Sequence, residues 1–298
     1  MYEFSQLPED SKCVIKDCYK CDGIILEDFI RRGILPKIRE FKVRRDDTLI
    51  ASYPRTGTTW TEKILAGLVD GPKVADTIDL EARFPFMEFM QPDDPSLPAY
   101  NGYELALAQK SPRFLKTHLP FDFIPAGFEK QGKVILITRN PKDTLASHFN
   151  FYNNMSWVKY DGGIETMHKG FLADEHVYGG YFQWCMKWWN ALKYGRVASI
   201  YILSYENLIA DFEEQVGNLA RFIGYNLNKD KLLEIARISS FGRMRETVVI
   251  PGVDNFIYKG RVGRWREILS KDQSQEIEDK VNEMIKDGMK LPIDKYVL

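Results

Sequence analysis

Residues 48–60 read TLIASYPRTGTTW, an apolar run that passes directly into a turn rich in Pro, Gly and Thr. The run from Thr48 to Tyr53 has the length and the residue types of a buried β-strand. A helical pattern follows from about Thr58 to Leu68, so the turn joins a strand to a helix. In such a turn the backbone N–H groups and the helix N-terminus point at one spot, and threonine hydroxyls and Arg55 add further donors. This stretch therefore predicts a phosphate-binding turn in an α/β fold.

Strand and helix patterns keep alternating after this turn, which is typical of a parallel sheet covered by helices. No repeat or composition shift divides the chain. We expect one α/β domain over residues 1–298, with a central parallel sheet flanked by helices. The further strands are predicted at Arg113 to Thr117, Lys133 to Thr138 and Ser199 to Leu203, and the further helices at Asn140 to Phe151, Tyr181 to Lys193, Asn207 to Ile223 and Lys271 to Ile285.

The charge and hydropathy of the chain exclude several classes of partner. Its 298 residues include 41 Lys and Arg against 42 Asp and Glu, a formal net charge of −1, so no long-range field favours nucleic acid. No apolar run reaches the roughly 18 residues needed to span a bilayer, and the start MYEFSQLPEDSK lacks the regions of a signal peptide. We therefore expect neither a nucleic-acid nor a membrane partner, and a cytoplasmic protein.

Four cysteines are too few for a disulfide scaffold in a chain of this length, which fits a reducing compartment. Cys13, Cys18 and Cys21 have a spacing that also occurs at iron–sulfur sites. Cys185 is far from them in an apolar stretch, where we expect a small core residue. We disfavour a cluster there and expect no metal.

Ionisable side chains follow three of the predicted strands: Arg55 after the first, Lys116 and His118 at the end of RFLKT, and Arg139 after KVILIT. Ligands of open parallel sheets bind outside the carboxyl ends of the strands, so we expect these four side chains to converge on one crevice. Because histidine accepts a proton near neutral pH, this convergence favours a catalytic role for His118 over a structural one.

A last basic cluster, YKGRVGRWR at 258–266, holds four cations in nine residues. Its glycines would let the backbone approach a phosphate closely. The long aperiodic segment before it, 247–263, suits a lid. A solvated basic face is the alternative.

Together these segments resemble the cytosolic sulfotransferases, which move a sulfonate from 3′-phosphoadenosine 5′-phosphosulfate (PAPS) to a hydroxyl or an amine and release PAP. YPRTGTTW is similar to the family's 5′-phosphosulfate loop YPKSGTTW, and KTHLP to its catalytic strand end. TRNPKDTLASHFNFY is similar to the 3′-phosphate motif RNPKD and its following serine, and YKGRVGRWR to RKGxxGDWK. The match spans most of the chain and implies a P-loop-like turn, PAPS as co-substrate and no metal.

The resemblance implies a role for each matching residue. His118 would be the general base that deprotonates the acceptor, and Lys116 would stabilise the transferring sulfonate. Arg55 stands where the family has a lysine that interacts with the leaving phosphate, and a guanidinium is not an equivalent replacement. The implied donor-binding residues are Arg55, Thr56, Gly57, Thr58, Thr59 and Trp60 at the 5′-phosphate, Trp60, Tyr205 and Phe241 at the adenine with Ser239 and Met244 close by, and Arg139, Ser147, Lys259 and Gly260 at the 3′-phosphate.

Three departures from the family pattern accompany this match. Tyr258 stands where the family has an arginine, and Arg264 where it has an aspartate, so Arg261 or Arg264 would supply the charge beside Tyr258 in the donor site. The family's dimer motif survives only as Arg243, Thr247, Val248 and then Gly252, which leaves a homodimer open.

The segment RFPFMEF at 83–89 resembles the family's substrate gate. The implied acceptor residues are Phe86, Phe89 and Phe151 with Lys116 and His118. An aromatic lining suits a small phenol, a catecholamine-like amine or an alcohol. The other histidines, His148, His168 and His176, have no motif support, and we expect them to be surface or structural residues.

Three other functions stay open beside sulfonate transfer. A metal-dependent kinase is disfavoured, because the turn lacks GxxxxGK[ST] and no acidic residue ends KVILIT to hold magnesium. A nucleotide-binding protein without activity is the second, against which the retained His118 and Lys116 argue. A dehydratase that sulfonates an alcohol transiently and then eliminates it is the third.

Overall fold

The computed structural model describes residues 2–8, 11–13, 15, 17–90, 100–155, 160, 162–248, 256–257 and 260–294. Across these ranges no helix combines the length and the apolar character that crossing a bilayer requires. The strands are β1 (Phe4–Gln6), β2 (Cys18–Cys21), β3 (Ile24–Glu27), β4 (Thr48–Ser52), β5 (Phe114–Thr117), β6 (Lys133–Thr138) and β7 (Ile200–Ser204). The helices are α1 (Ile34–Glu40), α2 (Thr58–Val69), α3 (Pro72–Ala75), α4 (Leu80–Arg83), α5 (Gly102–Ala108), α6 (Pro141–Asn153), α7 (Ile164–Leu172), α8 (Tyr181–Lys193), α9 (Tyr205–Ala210), α10 (Phe212–Ile223), α11 (Lys229–Ile238), α12 (Phe241–Thr247) and α13 (Lys271–Lys286), with short 3-10 helices at Phe121–Phe123, Ala126–Glu129 and Arg264–Glu267.

The larger sheet is parallel throughout and has the strand order β5-β4-β6-β7. The chain leaves β4 towards β5 on one side and leaves β6 towards β7 on the other, so the winding reverses between the two central strands. Open α/β sheets bind ligands outside the carboxyl ends of the strands at such a point. The predicted α/β class with a central parallel sheet is confirmed.

Successive residues of the central strands enter different cores, which explains why these strands are apolar without a break. Leu49 and Ala51 belong to the larger core, together with Trp184 and Trp188 of α8. Ile50, between them, belongs to a second core that α2, α10 and α11 build on the opposite face. Helices therefore cover the sheet on both sides, as predicted.

The predicted bounds of four strands and four helices agree with the structure to within two residues. The prediction of one helix from Asn207 to Ile223 is wrong, because the chain forms two helices there, α9 and α10. Asp211 separates them: its backbone leaves the helical region, at φ −145° and ψ 81°, and its side chain accepts a hydrogen bond from Glu214 N as the cap of α10. A capping aspartate ends one helix and starts the next.

The smaller sheet, β1-β2-β3, is antiparallel and has no counterpart among the predicted elements. Its strands are only three or four residues long, too short to carry a clear alternation. Cys18 and Cys21 lie on β2, and neither they nor Cys13 and Cys185 form a disulfide. Cys185 is buried in the larger core, which confirms its prediction as a core residue.

The three histidines without motif support are all buried, so none of them is a surface residue. His148 Nε2 lies 2.9 Å from the carbonyl oxygen of Pro54, and His176 Nδ1 lies 3.3 Å from the hydroxyl of Tyr53. Both histidines therefore contact residues that begin the phosphate-binding turn. His168 lies on α7 and contacts the carbonyl of Gln273 on α13.

The remnant of the dimer motif makes contacts within the chain. Arg243 donates to both carboxylate oxygens of Asp76, at 2.8 and 2.9 Å, and the hydroxyl of Thr247 donates to the carbonyl of Arg243. Gly252 lies outside the described residues. The homodimer and the cytoplasmic location stay predictions.

Candidate active site

A cavity of about 980 Å³ opens at the carboxyl ends of the parallel strands, and residues that come directly after all four strands line it. Thr56 is not among the lining residues, and Tyr258 and Lys259 lie outside the described part of the chain. The structure thus brings nearly the whole predicted site to one place. The predicted residues that line the cavity are Arg55, Gly57, Thr58, Thr59, Trp60, Phe86, Phe89, Lys116, His118, Arg139, Ser147, Phe151, Tyr205, Ser239, Phe241, Met244, Gly260 and Arg261.

The turn after β4 is shaped to bring backbone N–H groups close to a ligand. Gly57 has a φ of 113°, and a Cβ at this position would lie 2.8 Å from the ring of Tyr205. The first helical hydrogen bond of α2 runs from Thr61 N to Gly57 O. The N–H groups of residues 58–60 precede that bond, so the helix itself gives them no acceptor. This arrangement is a site for an anion.

The threonine hydroxyls of the turn face different ways. The hydroxyl of Thr56 donates to the carbonyl oxygen of Tyr53 at 2.7 Å, and the side chain is buried. Thr58 lies on the cavity wall, with its hydroxyl oxygen 2.7 Å from that of Ser52. Thr56 thus closes the turn with its side chain, while Thr58 and Thr59 face the cavity.

Arg139, directly after β6, brings a cation to the floor of the cavity. Its Nη1 donates to the carbonyl oxygen of Arg55 at 2.8 Å, and its guanidinium lies 4.2 Å from the ring centre of Tyr205. Its Nε is buried and has no hydrogen-bond partner. A buried N–H donor of a cation without an acceptor costs free energy, which an incoming anion would recover.

The guanidinium of Arg55 lies against two aromatic rings, 4.6 Å from the centres of both Phe151 and Phe256. Its Nη2 donates to the carbonyl of Phe256 at 3.0 Å, and its Nε donates to the hydroxyl of Ser147 at 3.3 Å. Burial, and then the charge of Arg139, lower the pKa of Arg55 to about 10. The hydrogen bond from Arg55 therefore joins the phosphate-binding turn to Ser147, which is predicted to bind the 3′-phosphate.

Flat apolar groups line the other side of the turn. Trp60 meets the ring of Tyr205 edge-on at 5.4 Å and stacks on Phe212 at 6.1 Å. Phe241 is 39% exposed, and a Cβ at Gly260 would lie 2.7 Å from its ring. These rings leave a wall on which a planar ligand group can stack.

His118 is held from two sides at the end of β5. Its Nδ1 lies 2.7 Å from the carbonyl oxygen of Ser52, and its backbone N–H donates to Glu88 Oε1 at 2.6 Å. The rings of Phe86 and Tyr178 meet its imidazole edge-on, at 4.9 and 5.5 Å. Burial lowers the pKa of His118 to about 3, and the charges of Lys116 and Arg55 act in the same direction. The ring is therefore neutral near pH 7.

Lys116 is a buried cation between two carboxylates. Its Nζ lies 3.1 Å from Glu62 Oε1 and 2.7 Å from Glu81 Oε1. Burial alone would lower the pKa of Lys116, but the two carboxylates raise it above its ordinary value. The ammonium is therefore charged near pH 7.

Asp143, in the first turn of α6, holds the last part of the site in place. One carboxylate oxygen accepts a hydrogen bond from Gly263 N at 2.7 Å, and the other accepts one from Trp265 N at 3.1 Å. These two bonds fix the segment that carries Gly260 and Arg261 to the cavity wall.

Acidic side chains are the part of the site that sequence reasoning missed. Glu88 and Asp143 stand in segments quoted for other reasons, RFPFMEF and NPKD, while Glu62, Glu81 and Glu27 carry no motif. Their spacing along the chain gives no signal, because each acts on a residue brought near only by the fold. In the described part of the chain, no group of three or more His, Cys, Asp and Glu could hold a metal ion.

Comparison with known proteins agrees with this geometry. The model of a family described as "Sulfotransferase domain" matches residues 45–289. Sulfotransferase 1A1 of Rattus norvegicus is 30% identical over 267 residues, which cover 85% of this chain and 89% of that protein. Sulfotransferase 1C2 of Oryctolagus cuniculus is 29% identical over 257 residues, which cover 82% of this chain and 84% of that protein.

Solved structures share the fold at lower identity. Retinol dehydratase in complex with androsterone and PAP superposes with a TM-score of 0.83 at 19% identity, over 98% of both chains. Mouse sulfotransferase SULT7A1 complexed with PAP superposes with a TM-score of 0.76 at 23% identity, over 91% of this chain and 95% of that one. Since the family model covers most of the chain and the relatives match over most of their length, this protein belongs to the sulfotransferase family, the PAPS-dependent enzymes that its four motifs resemble.

Proposed function

We propose that this sulfotransferase transfers the sulfonate of PAPS to a hydroxyl or an amine of a small aromatic acceptor, with His118 as the general base. The observation that carries the proposal is the 2.7 Å contact between His118 Nδ1 and the carbonyl oxygen of Ser52, on the wall of the cavity. A carbonyl oxygen can only accept, so Nδ1 carries the proton of the neutral ring. Nε2 then holds the lone pair that takes up the acceptor's proton.

The cavity fits a nucleotide with two phosphate groups. The partnerless Nε of Arg139 and the close approach at Gly57 both support an anion there. When bound, PAPS supplies an activated sulfonate on a phosphate leaving group. The residues proposed to hold it are Gly57, Thr58, Thr59 and Trp60 at the 5′-phosphate, Arg139, Ser147, Gly260 and Arg261 at the 3′-phosphate, and Trp60, Tyr205 and Phe241 at the adenine, with Ser239 and Met244 beside it.

Fixed positive charge stabilises the negative charge that grows during the transfer. Lys116 is charged and held by Glu62 and Glu81, so it needs no reorganisation at the moment of reaction. Arg55 lies against Ser147 and adds a second cation near the turn. Thr56 supports this arrangement indirectly, because its hydroxyl closes the turn.

Burial is the main cause of the low pKa of His118, and the charges of Lys116 and Arg55 lower it further. An anionic donor in the same cavity favours the imidazolium and so raises this pKa towards the working pH. The ring becomes a more effective base once the donor is bound.

Aromatic rings around His118 support an aromatic acceptor. Phe86 packs on the imidazole and stacks on Phe89 with ring centres 5.8 Å apart. Phe151 lines the same cavity but packs on the guanidinium of Arg55, so it connects the acceptor wall to the donor turn.

Radiolabelled sulfonate transfer from PAPS to 2-naphthol, with and without the substitution His118→Ala, tests the proposal. Loss of the base is expected to lower kcat by roughly 10² to 10⁴. Calorimetry is expected to give the same affinity for PAP in both proteins, because His118 does not hold the donor. His168→Ala is the matched control, since His168 contacts α13 and does not line the cavity.

Full activity of His118→Ala would overturn the general-base role. Preference for Mg-ATP over PAP in the same calorimetry would overturn sulfonate transfer altogether. Mass spectrometry of the products separates the remaining alternative: a sulfated product that accumulates supports net transfer, while an unsaturated, sulfate-free product of an alcohol would show elimination instead.

A further inference from the structure

A buried carboxyl group at the end of β3 is not used by the proposed chemistry. Glu27 is 5% exposed, and its side chain lines the same cavity as His118. The hydroxyl of Tyr152 donates to its Oε1 at 3.2 Å. A carboxyl inside an apolar cavity loses its hydration, and such groups are kept where they meet a ligand or a partner charge.

The groups that act on the Glu27 carboxyl, Tyr152 and Cys13, include no cation. A row of rings leads from the catalytic histidine to β3: Phe86 contacts His118, Phe89 stacks on Phe86, and Phe29 meets Phe89 edge-on at 5.1 Å. Phe29 follows Glu27 by two residues. An acceptor whose reacting group is at His118 therefore extends along this row towards Glu27.

The surroundings of Glu27 suit a cation better than a neutral group. The rings of Tyr152, Tyr178 and Phe29 line the cavity with it, and aromatic faces attract ammonium groups. An anionic group beside Glu27 would oppose ionisation of its carboxyl, whereas an ammonium favours it.

We propose that Glu27 binds the ammonium group of an acceptor that is a hydroxyaryl-alkylamine, whose hydroxyl lies at His118 and receives the sulfonate. The inference rests on the proposed function, and it selects one acceptor class among the phenols, amines and alcohols. The ammonium keeps its protons and is not sulfonated.

Proton release on binding is the direct sign of this contact. Burial raises the pKa of Glu27 to about 8, against the hydrogen bond from Tyr152, so the free site holds a neutral carboxyl at pH 7. An ammonium beside it favours the carboxylate. Binding of the amine is therefore coupled to the loss of about one proton.

The experiment uses calorimetry on the PAP complex, which cannot turn over, at pH 7 in two buffers of different ionisation enthalpy. The probes are tyramine and 4-(4-aminobutyl)phenol, each compared with a neutral isostere, 4-propylphenol and 4-pentylphenol. For at least one pair we expect the amine to bind about tenfold more tightly or better, with release of about one proton per site. The neutral phenol of that pair should release none.

Glu27→Gln should abolish the proton release and reduce the amine preference by about tenfold or more. The amide oxygen still accepts from Tyr152, so the substitution keeps the fold, and thermal unfolding checks this. Asp28→Asn is the matched control: it makes the same change from carboxyl to amide at the next residue, which is exposed and does not line the cavity, and both readouts should match the wild type.

An unchanged amine preference in Glu27→Gln, or no preference in the wild type for either pair, would overturn the inference. These outcomes are separate from failure of the proposed function. If neither phenols nor amines are sulfonated but the amine binds with proton release, the proposed transfer fails and the ammonium site stands. If 4-propylphenol is sulfonated and tyramine binds no more tightly than 4-propylphenol, the proposed transfer stands and the ammonium site at Glu27 fails.

Discussion

Gly57 is a residue for which two independent constraints coincide. Its φ of 113° strains any L residue, and a Cβ would lie 2.8 Å from the ring of Tyr205. Gly57→Ala is therefore expected to destabilise the fold by about 1–2 kcal/mol and, by pushing the Tyr205 ring, to weaken PAP binding by roughly tenfold or more. Calorimetry with PAP and denaturant unfolding measure the two effects.

Gly224→Ala separates strain from contact. Gly224 has a φ of 86° at the end of α10, but a Cβ there would meet only the end of the Lys133 side chain, at 3.9 Å. This variant should lose a similar amount of stability and bind PAP like the wild type. Equal PAP affinity in Gly57→Ala and Gly224→Ala would show that the close approach to Tyr205 does not matter.

The hydrogen bonds of Asp143 to the segment after α12 join two elements that are far apart in sequence but adjacent in the fold. Asp143→Ala removes both hydrogen bonds to the backbone N–H groups of Gly263 and Trp265. The loss is expected to cost about 1–3 kcal/mol of stability and to lower PAP affinity about tenfold, because Gly260 and Arg261 are no longer held at the cavity. Thermal unfolding and calorimetry test both.

Asn228→Ala is the control for a lost backbone contact. The Asn228 side chain caps α11 by accepting from Lys231 N at 2.8 Å, and it does not line the cavity. It should cost about 1 kcal/mol of stability and leave PAP affinity unchanged. A PAP affinity of Asp143→Ala equal to that of the wild type would contradict the role given to this contact.

Elements with local signals were predictable, and elements held by distant contacts were not. KVILIT and YFQWCMKWWNALK gave β6 and α8 with their observed ends, because an apolar run or a helical stripe is written in consecutive residues. The break at Asp211 has a local cause, a capping aspartate, that the continuous apolar stripe on both sides concealed. β1 to β3 are short, and their pairing is set by contacts along the sheet rather than by any one strand.

The site was predictable where it follows from the topology. Arg55, Lys116, His118 and Arg139 converge because parallel strands end at one edge. The carboxylates that hold them were not predictable: Glu62 reaches Lys116 and Glu88 reaches His118 only through packing between elements. Thr56 shows that a motif match does not by itself give the role of each side chain, because its hydroxyl bonds to the carbonyl of Tyr53 and closes the turn.

The buried histidines make the stability of the whole molecule sensitive to acid. Burial lowers the pKa of His176 to about 4, whereas an unfolded histidine titrates near 6.5. Below pH 6.5 the unfolded chain binds a proton that the native protein refuses, so stability is full above pH 6.5 and falls as the pH approaches 4. For this residue, acidification from pH 7 to pH 5 should cost about 2 kcal/mol.

His176→Leu is expected to lose that part of the acid sensitivity. Tyr53 keeps its hydrogen bond to the carbonyl of Val177 in the variant. Free energies of unfolding at pH 7 and pH 5, from urea titrations of both proteins, give the difference. The carboxyl groups with raised pKa, such as Glu88, act in the opposite sense but are shared by both proteins and cancel. Equal pH dependence of the two proteins would contradict the assignment.

The contact between Asp143 and the segment at 263–265 also determines when, during synthesis of the chain, the cavity can be completed. A ribosome makes the phosphate turn early and this segment after every other described part of the cavity wall. A nascent chain that has folded its sheet therefore carries a nucleotide site with one wall missing, because Asp143 has nothing yet to hold. Ligand present in the cell can stabilise the protein fully only after this wall has emerged, so we expect donor binding to protect chains that carry the wall better than shorter nascent chains.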